Sequence, residues 1–198
     1  MARLSLNKST LSEQIKQLKT YRNFLPSLDL KRRQLLSEQE KARKELRELD
    51  HRAAALHPMV EKQIPMLGYT HVDVRGIVRV TNAEIVEENV MGIRLPNLEH
   101  IEVRVSEYPF LAKPHWVDRV VRLLQQAIEI RMHRQVMERR LELLASAAKV
   151  VSQRVNLFEK VLIPKTEANI QRIRVSLSDA ERASIVRAKI AKGEKGVE

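Results

Sequence analysis

Apolar residues recur along most of this chain in alternating steps of three and four. In the opening third, seven-residue steps give Leu4, Leu11, Leu18 and Leu25, then Arg32 and Gln39, then Leu46, Ala53 and Val60. A companion set runs Asn7, Gln14, Tyr21, Leu28, Leu35, Ala42, Leu49 and Leu56. Two interleaved sets over about eight heptads make one stripe along a coiled-coil helix. The spacing predicts a helical arm from Arg3 to about Met59. Arg32 and Gln39 are polar seam positions, and such residues fix register at some cost in stability. The alternative is that the seam opens there to admit another subunit. Pro26 lies inside this arm, where it removes a backbone hydrogen bond and crowds the carbonyl four residues back. We expect a kink or short break near residues 23–27, with one register carried through.

The second stripe is longer. It runs Val120, Leu123, Ala127 and Ile130, then Met137, Leu141, Leu144, Ala148, Val151, Val155, Phe158 and Leu162, with a gap at Arg134. It resumes one position out of phase at Ile163, Thr166, Ile170, Ile173, Leu177 and Ala180. The slip falls at Pro164, where a two-stranded supercoil should change its winding. Pro114 or His115 can open this arm, because proline is tolerated in a first helical turn. Trp116 lies one heptad below Leu123 and is expected to lock the base. Gly193 and Gly196 end the arm near Lys192. The second arm should reach on the order of 115 Å against roughly 85 Å for the first. The expectation is an unequal antiparallel pair.

Between the arms the texture changes. Pro58 and Pro65, followed by Gly68, are expected to end the first helix. Val72, Val74, Ile77, Val78 and Val80 are β-branched, and Ile101, Val103 and Val105 alternate with Glu102, Arg104 and Ser106. That period of two is a strand signal. Thr81-Asn82, and Gly92 with Pro96-Asn97, carry turn chemistry. Two or three short strands in a β-hairpin-like module follow. Isolated hairpins are marginal, so the module should lean on the helices or on a partner. The fold class is therefore mostly α: a long antiparallel two-helix coiled coil with a small β module. The divisions are residues 1–60, 61–113 and 114–198.

Composition agrees. Charged residues are 31% of the chain while Phe, Tyr and Trp are 4%, the balance of long helices rather than of a globular core. Without cysteine there is no disulfide, thiolate metal site or cysteine nucleophile. No apolar run approaches a membrane span, and residues 1–8 lack a signal-peptide core. The expectation is a soluble cytoplasmic protein. The net charge is +11, divided as +6, −2 and +7 among the three divisions. Nucleic acid is the default partner for such a charge. Acidic residues are interleaved with the basic ones along both arms, however, as on a solvated coiled-coil surface.

Chemistry-bearing motifs are few. No glycine-rich loop ends in Gly-Lys-Ser/Thr, so no bound nucleotide is expected on this chain. His51 and His57 are six apart and do not share a helix face as a metal pair needs. Glu87-Glu88 reads as surface charge, and Lys31-Arg32-Arg33 and Arg139-Arg140 as solvated clusters. No catalytic, metal or cofactor-binding residue is expected.

The run Arg154-Val155-Asn156-Leu157-Phe158-Glu159-Lys160-Val161-Leu162-Ile163-Pro164 resembles the Arg-Val-Asn-Ala-Leu-Glu run ending in Ile-Pro of the D subunit of V-type (archaeal/vacuolar-type) ATPases and ATP synthases. Arg154, Val155, Asn156, Glu159, Ile163 and Pro164 carry the match. Ile170, Ile173, Leu177, Glu181 and Arg182 resemble its apolar stripe closing on Glu-Arg. Asn89-Val90-Met91-Gly92-Ile93 with Pro96 resembles its Gly-x-x-x-Pro turn, and Lys31-Arg32 with Leu35 its Lys-Arg-x-x-Leu run. Ser27-Leu28-Asp29 stands where the family commonly has Leu-Leu-Lys, and Pro26 is a further departure. The resemblance implies a central rotor shaft, non-catalytic in itself. It implies contacts to a hexameric head of A and B subunits, a small F subunit and a membrane-ring socket subunit of the C/d type. Position and charge then make Arg172, Arg174, Arg182, Arg187 and Lys189 the candidate head-facing cations. Two other readings compete: a basic coiled-coil nucleic-acid-binding protein, whose duplex affinity would fall steeply with salt, and a structural adaptor or secretion-system stalk.

Overall fold

A computed structural model describes residues 5–65, 76–106 and 116–194. The elements in order are helix α1 (Lys8–Gln63), strands β1 (Val78–Val90) and β2 (Ile93–Val105), helix α2 (Val117–Leu157), a five-residue π-helical turn (Phe158–Leu162), and helix α3 (Ile163–Glu194). The described residues fall into two compact units. One joins the chain up to Arg32 with Val150 onward; the other is Arg33–Lys149.

Asn7 sets the start of α1. Its side-chain Oδ1 accepts from the Thr10 amide at 2.7 Å and its carbonyl from the Leu11 amide at 3.1 Å. That is an N-cap, which satisfies donors that a helix start leaves bare. The helix therefore begins four to five residues later than the heptad pattern alone suggests, and Asn7 is its cap rather than a seam residue. Neither internal proline stops it: α1 is continuous through Pro26 and Pro58 to Gln63. No break falls at residues 23–27, and the helix runs past Pro58 and the expected end near Met59 to stop just before Pro65. Both prolines are exposed, so water can serve the carbonyls they leave without an amide partner.

In the first unit, α1 and the π-turn with α3 run antiparallel. Lys8 lies beside Glu181 at 3.8 Å, the Asn169 amide donates to Gln14 Oε1 at 3.3 Å, and Arg22 bridges Glu167 at 2.6 Å. The Tyr21 and Phe158 rings meet edge to face with centroids 5.4 Å apart. The residues expected in the stripe are those removed from water: Val151, Val155, Thr166, Ile170 and Ile173 are buried, and Leu11, Leu18, Leu25, Leu28 and Leu177 half-buried. The stripe fades at Ala180, which is exposed. The phase slip expected at Pro164 is present as the π-turn just before it. There the Ile163 amide donates to the Phe158 carbonyl five residues back, which adds one residue to the turn and moves the apolar face on by one.

In the second unit, Leu35, Ala42, Val120, Leu144 and Ala148 are the buried stripe positions. Arg134, the gap in the pattern, bridges Asp50 of α1 at 2.8 Å and Glu138 at 3.1 Å. β1 and β2 form one antiparallel hairpin. Its two-residue turn is Met91-Gly92, both at positive φ (54° and 79°), and the Gly92 amide donates to Asn89 Oδ1 at 2.9 Å. Positive φ at both positions marks the turn whose twist suits a hairpin. Thr81-Asn82 is not a turn: the pairing skips Thr81 between Val80↔Val103 and Asn82↔Glu102, a bulge within β1. A second shift, at Glu99, leaves Leu98, Ile101, Val103 and Val105 on one face. Val72, Val74 and Pro114-His115 lie outside the described residues.

The hairpin leans on α2. Ile64, Ile77, Trp116, Val117, Val120 and Val121 form a buried cluster, with Val78, Val105, Leu123 and Leu124 packed against it. Trp116 thus sits at the base where the end of α1, the foot of the hairpin and the start of α2 meet. Farther along, the Arg140 guanidinium donates to Glu88 at 3.0 Å, and Ile85 and Pro96 face Met132, Gln135, Val136 and Arg139 across a shallow groove.

Candidate interaction surfaces

Among the described residues, no three His, Cys, Asp or Glu converge as a metal site would need, and no helix is long and apolar enough to cross a membrane. His51 and His57 are both exposed on α1, with His57 Nδ1 3.5 Å from Glu61. Glu87 and Glu88 point to different partners, Arg94 at 3.6 Å and Arg140 at 3.0 Å.

The basic clusters are similarly occupied. Arg32 pairs with Asp29 one helical turn back, and Arg139 with Glu142 at 2.9 Å. Arg32 and Gln39 are half-buried at their stripe positions.

Along the run from Arg154 to Pro164, Val155 is buried and Ile163 half-buried, while Arg154, Asn156, Glu159 and Pro164 face solvent. The structure therefore splits this run into an inner edge that packs and an outer edge that is open. Gly92 occupies the hairpin turn. Pro96 lies inside β2 opposite Glu87 rather than in the turn.

The candidate cations all lie on α3, and all are exposed. Arg174 flanks an open groove of about 540 Å³ that also takes in Ile15, Leu18, Arg22, Glu167 and Ile170. Arg172 flanks another, beside Val175 and Asp179. Arg182, Arg187 and Lys189 continue along the helix, and among the described residues no ion pair holds any of the five. Around Arg182, Arg187 and Lys189 stand three large apolar residues: Ile185 at 58%, Val186 at 55% and Ile190 at 57% exposed. These three were not singled out in the sequence. The available signal was that the stripe stops at Ala180 while apolar residues continue. A patch of cations interleaved with bare Ile and Val suits burial in a partner with apolar and acidic lining.

Comparison with known proteins decides the family. A profile of the family described as the D subunit of ATP synthase matches residues 10–193. The chain belongs to the ATP synthase D-subunit family. It is 31% identical to the V-type ATP synthase D subunit of Borreliella burgdorferi, over 97% of this chain and 95% of that one. The corresponding subunits of Chlamydia abortus and Chlamydia muridarum are 30% and 29% identical, over 96% of this chain and 93% and 95% of theirs. Membership makes this D subunit one component of a multi-subunit synthase, and the family resemblance read from the Arg154–Pro164 run is upheld.

Proposed function

We propose that this D subunit is the central rotor shaft of a V-type ATP synthase. It passes torque between nucleotide chemistry in a head of A and B subunits and ion translocation by a membrane ring. It binds no nucleotide or cofactor itself. It works on the cytoplasmic side, peripheral to the membrane, with the small F subunit on its flank and a C/d-type socket subunit below.

The observation that carries this reading is the build of the first unit. Two antiparallel helices are held in register by Arg22–Glu167 and Gln14–Asn169. Beyond Glu181 the α3 helix exposes Ile185, Val186 and Ile190 among cations. A shaft needs fixed register to carry twist. It also needs a surface that differs with angle, so that each nucleotide state favours one orientation. Arg172, Arg174, Arg182, Arg187 and Lys189 are the head-facing cations on this reading. The division into residues 1–60, 61–113 and 114–198 then separates shaft, side module and shaft.

Two experiments test it. The tagged D subunit should co-purify a nucleotide-binding hexamer and a small partner subunit. In the assembled synthase, neutralising the five cations together should lower ions moved per ATP while hydrolysis continues. Unchanged coupling would remove the assignment of those five residues, and failure to co-purify a head would remove the shaft reading itself.

A further inference from the structure

The two flanks of the seam in the first unit differ in character. The residue just before each seam position lies on one flank and the residue just after it on the other. In an antiparallel pair the matching flanks of the two helices share a side. On the later flank stand Arg22 and Asp29 of α1, with Asn156 and Glu159 across from them. All four are polar, and Arg22 is met by Glu167 and Asp29 by Arg32. On the earlier flank stand Thr20, Phe24 and Ser27 of α1. Val150, Arg154, Leu157 and Val161 continue it along α2 and the π-turn.

The earlier flank is apolar and open to water. Phe24, Val150, Leu157 and Val161 are between 46% and 57% exposed. The Tyr21 ring, one turn before Phe24, meets that of Phe158, which puts Phe24 level with Leu157 and Val161. Val150, Arg154, Leu157 and Val161 are spaced by four, three and four, the rhythm of the seam itself. Single exposed valines and leucines need no explanation; a row of them at seam spacing is a second edge for helix packing. α1 leaves that row half uncovered. From Thr20 to Lys31 and from Val150 to Val161, the only charges on this flank are Lys31 and Arg154, both cationic. Arg154 is exposed, and among the described residues no ion pair holds it.

We propose that this flank seats a third helix, an amphipathic one supplied by another subunit of the synthase. Its apolar edge lies along Phe24, Leu157 and Val161, and an acidic residue on it meets Arg154. The row from Val150 to Val161 spans about 16 Å, which sets the docked length at about three turns. Anchors at steps of three and four are how a helix is read by a groove. A flank with two cations and no acid selects a partner with an acidic edge over a basic one. That the occupant is a synthase subunit rests on the assembly proposed above; the open row does not.

The test uses single cysteines in the full chain, which has none of its own. Leu157→Cys reports the apolar flank, and Asn156→Cys, its neighbour on the other flank, is the control. In the isolated subunit both should react readily with N-ethylmaleimide. In the assembled synthase Leu157→Cys should slow at least about tenfold, and Asn156→Cys by less than about threefold. An unchanged rate at Leu157→Cys, or equal slowing at both positions, would overturn the site. A benzophenone maleimide on Leu157→Cys should then cross-link to one helical peptide of another subunit, with apolar residues at steps of three and four and an acid within a turn. A cross-link to a second copy of this chain, or to a segment without that pattern, would overturn the occupant. Leu157→Gln with Val161→Gln should move the thermal midpoint of the isolated chain by less than about 3 °C, yet cut recovery of that subunit with the complex at least about tenfold. A fall in midpoint beyond about 8 °C would mean that these residues serve the fold instead of a partner. A parent that assembles with Leu157→Cys still open sinks this site alone and leaves the shaft reading standing. A parent that co-purifies no other subunit sinks both.

Discussion

Arg134 is the one interruption in an otherwise apolar stripe, and replacing it with leucine separates register from stability. Its guanidinium bridges Asp50 of α1 at 2.8 Å, and both side chains are 49% exposed. Solvent screens such a pair, so its net worth is about 0.2–1 kcal/mol. A leucine there would add roughly half of a full side-chain burial, about 1 kcal/mol. The two terms nearly offset, with a small gain for Arg134→Leu. The thermal midpoint should move up by about 0–3 °C. Arg134→Ala gains no burial, loses the bridge and the packing of the arginine stem, and should cost about 1 kcal/mol. A double-mutant cycle with Asp50→Ala, followed by urea unfolding, isolates the pair, with a coupling of about 0.2–1 kcal/mol expected. Disulfide trapping between introduced cysteines is clean in this cysteine-free chain. It should show pairing in one register for the parent and in neighbouring registers for Arg134→Leu. A coupling above about 2 kcal/mol, or a leucine variant less stable by that much, would mean that Arg134 anchors the fold instead of fixing its register.

Three further outcomes follow from the same structure. Leu144→Ala empties a position with 0% exposure and should cost about 2–4 kcal/mol in urea unfolding. Trp116→Ala removes the residue joining the end of α1, the foot of the hairpin and α2. It should cost about 3–5 kcal/mol, with hairpin amides losing protection before those of the first unit. Met91 holds φ 54° in the hairpin turn, where a residue tolerant of left-handed backbone is preferred. Met91→Asn should therefore stabilise the hairpin by about 0.5–1 kcal/mol, measured as slower exchange of the β1 and β2 amides.

The heptad stripes were legible because their signal is local and repeated. Leu35, Leu144, Val155 and Ile173 were all placed on the seam by spacing alone, and all are buried. The slip near Pro164 was legible too, since counting residues reveals an insertion; its form as a π-turn was not, because periodicity does not distinguish a widened turn from a kink. Pro26 makes no break in α1, and Pro58 lies within the helix, which ends instead before Pro65. Their intrinsic cost is real, but on an exposed helix face water replaces the missing bond and seam packing carries the helix through. Thr81-Asn82 misled because bulges and turns draw on the same residue types. The partners Arg22–Glu167, Arg134–Asp50 and Arg140–Glu88 could not be read from the sequence. Each depends on how distant elements align, and many equally charged alternatives exist in a chain with 36 basic and 25 acidic residues. The cations of α3 were visible as charge, whereas the exposure of Ile185, Val186 and Ile190 required the end of the seam to be located.

A rotor shaft must turn while ATP is consumed, and that rotation can be watched directly. A single cysteine introduced as Met91→Cys, at the exposed hairpin turn, would carry a bead or fluorophore at one defined place, since the chain has no other cysteine. With the A and B subunits fixed to a surface and ATP supplied, the probe should rotate steadily in one direction and stop when ATP is withdrawn. A complex that hydrolyses ATP at full rate while the probe stays still would contradict the account.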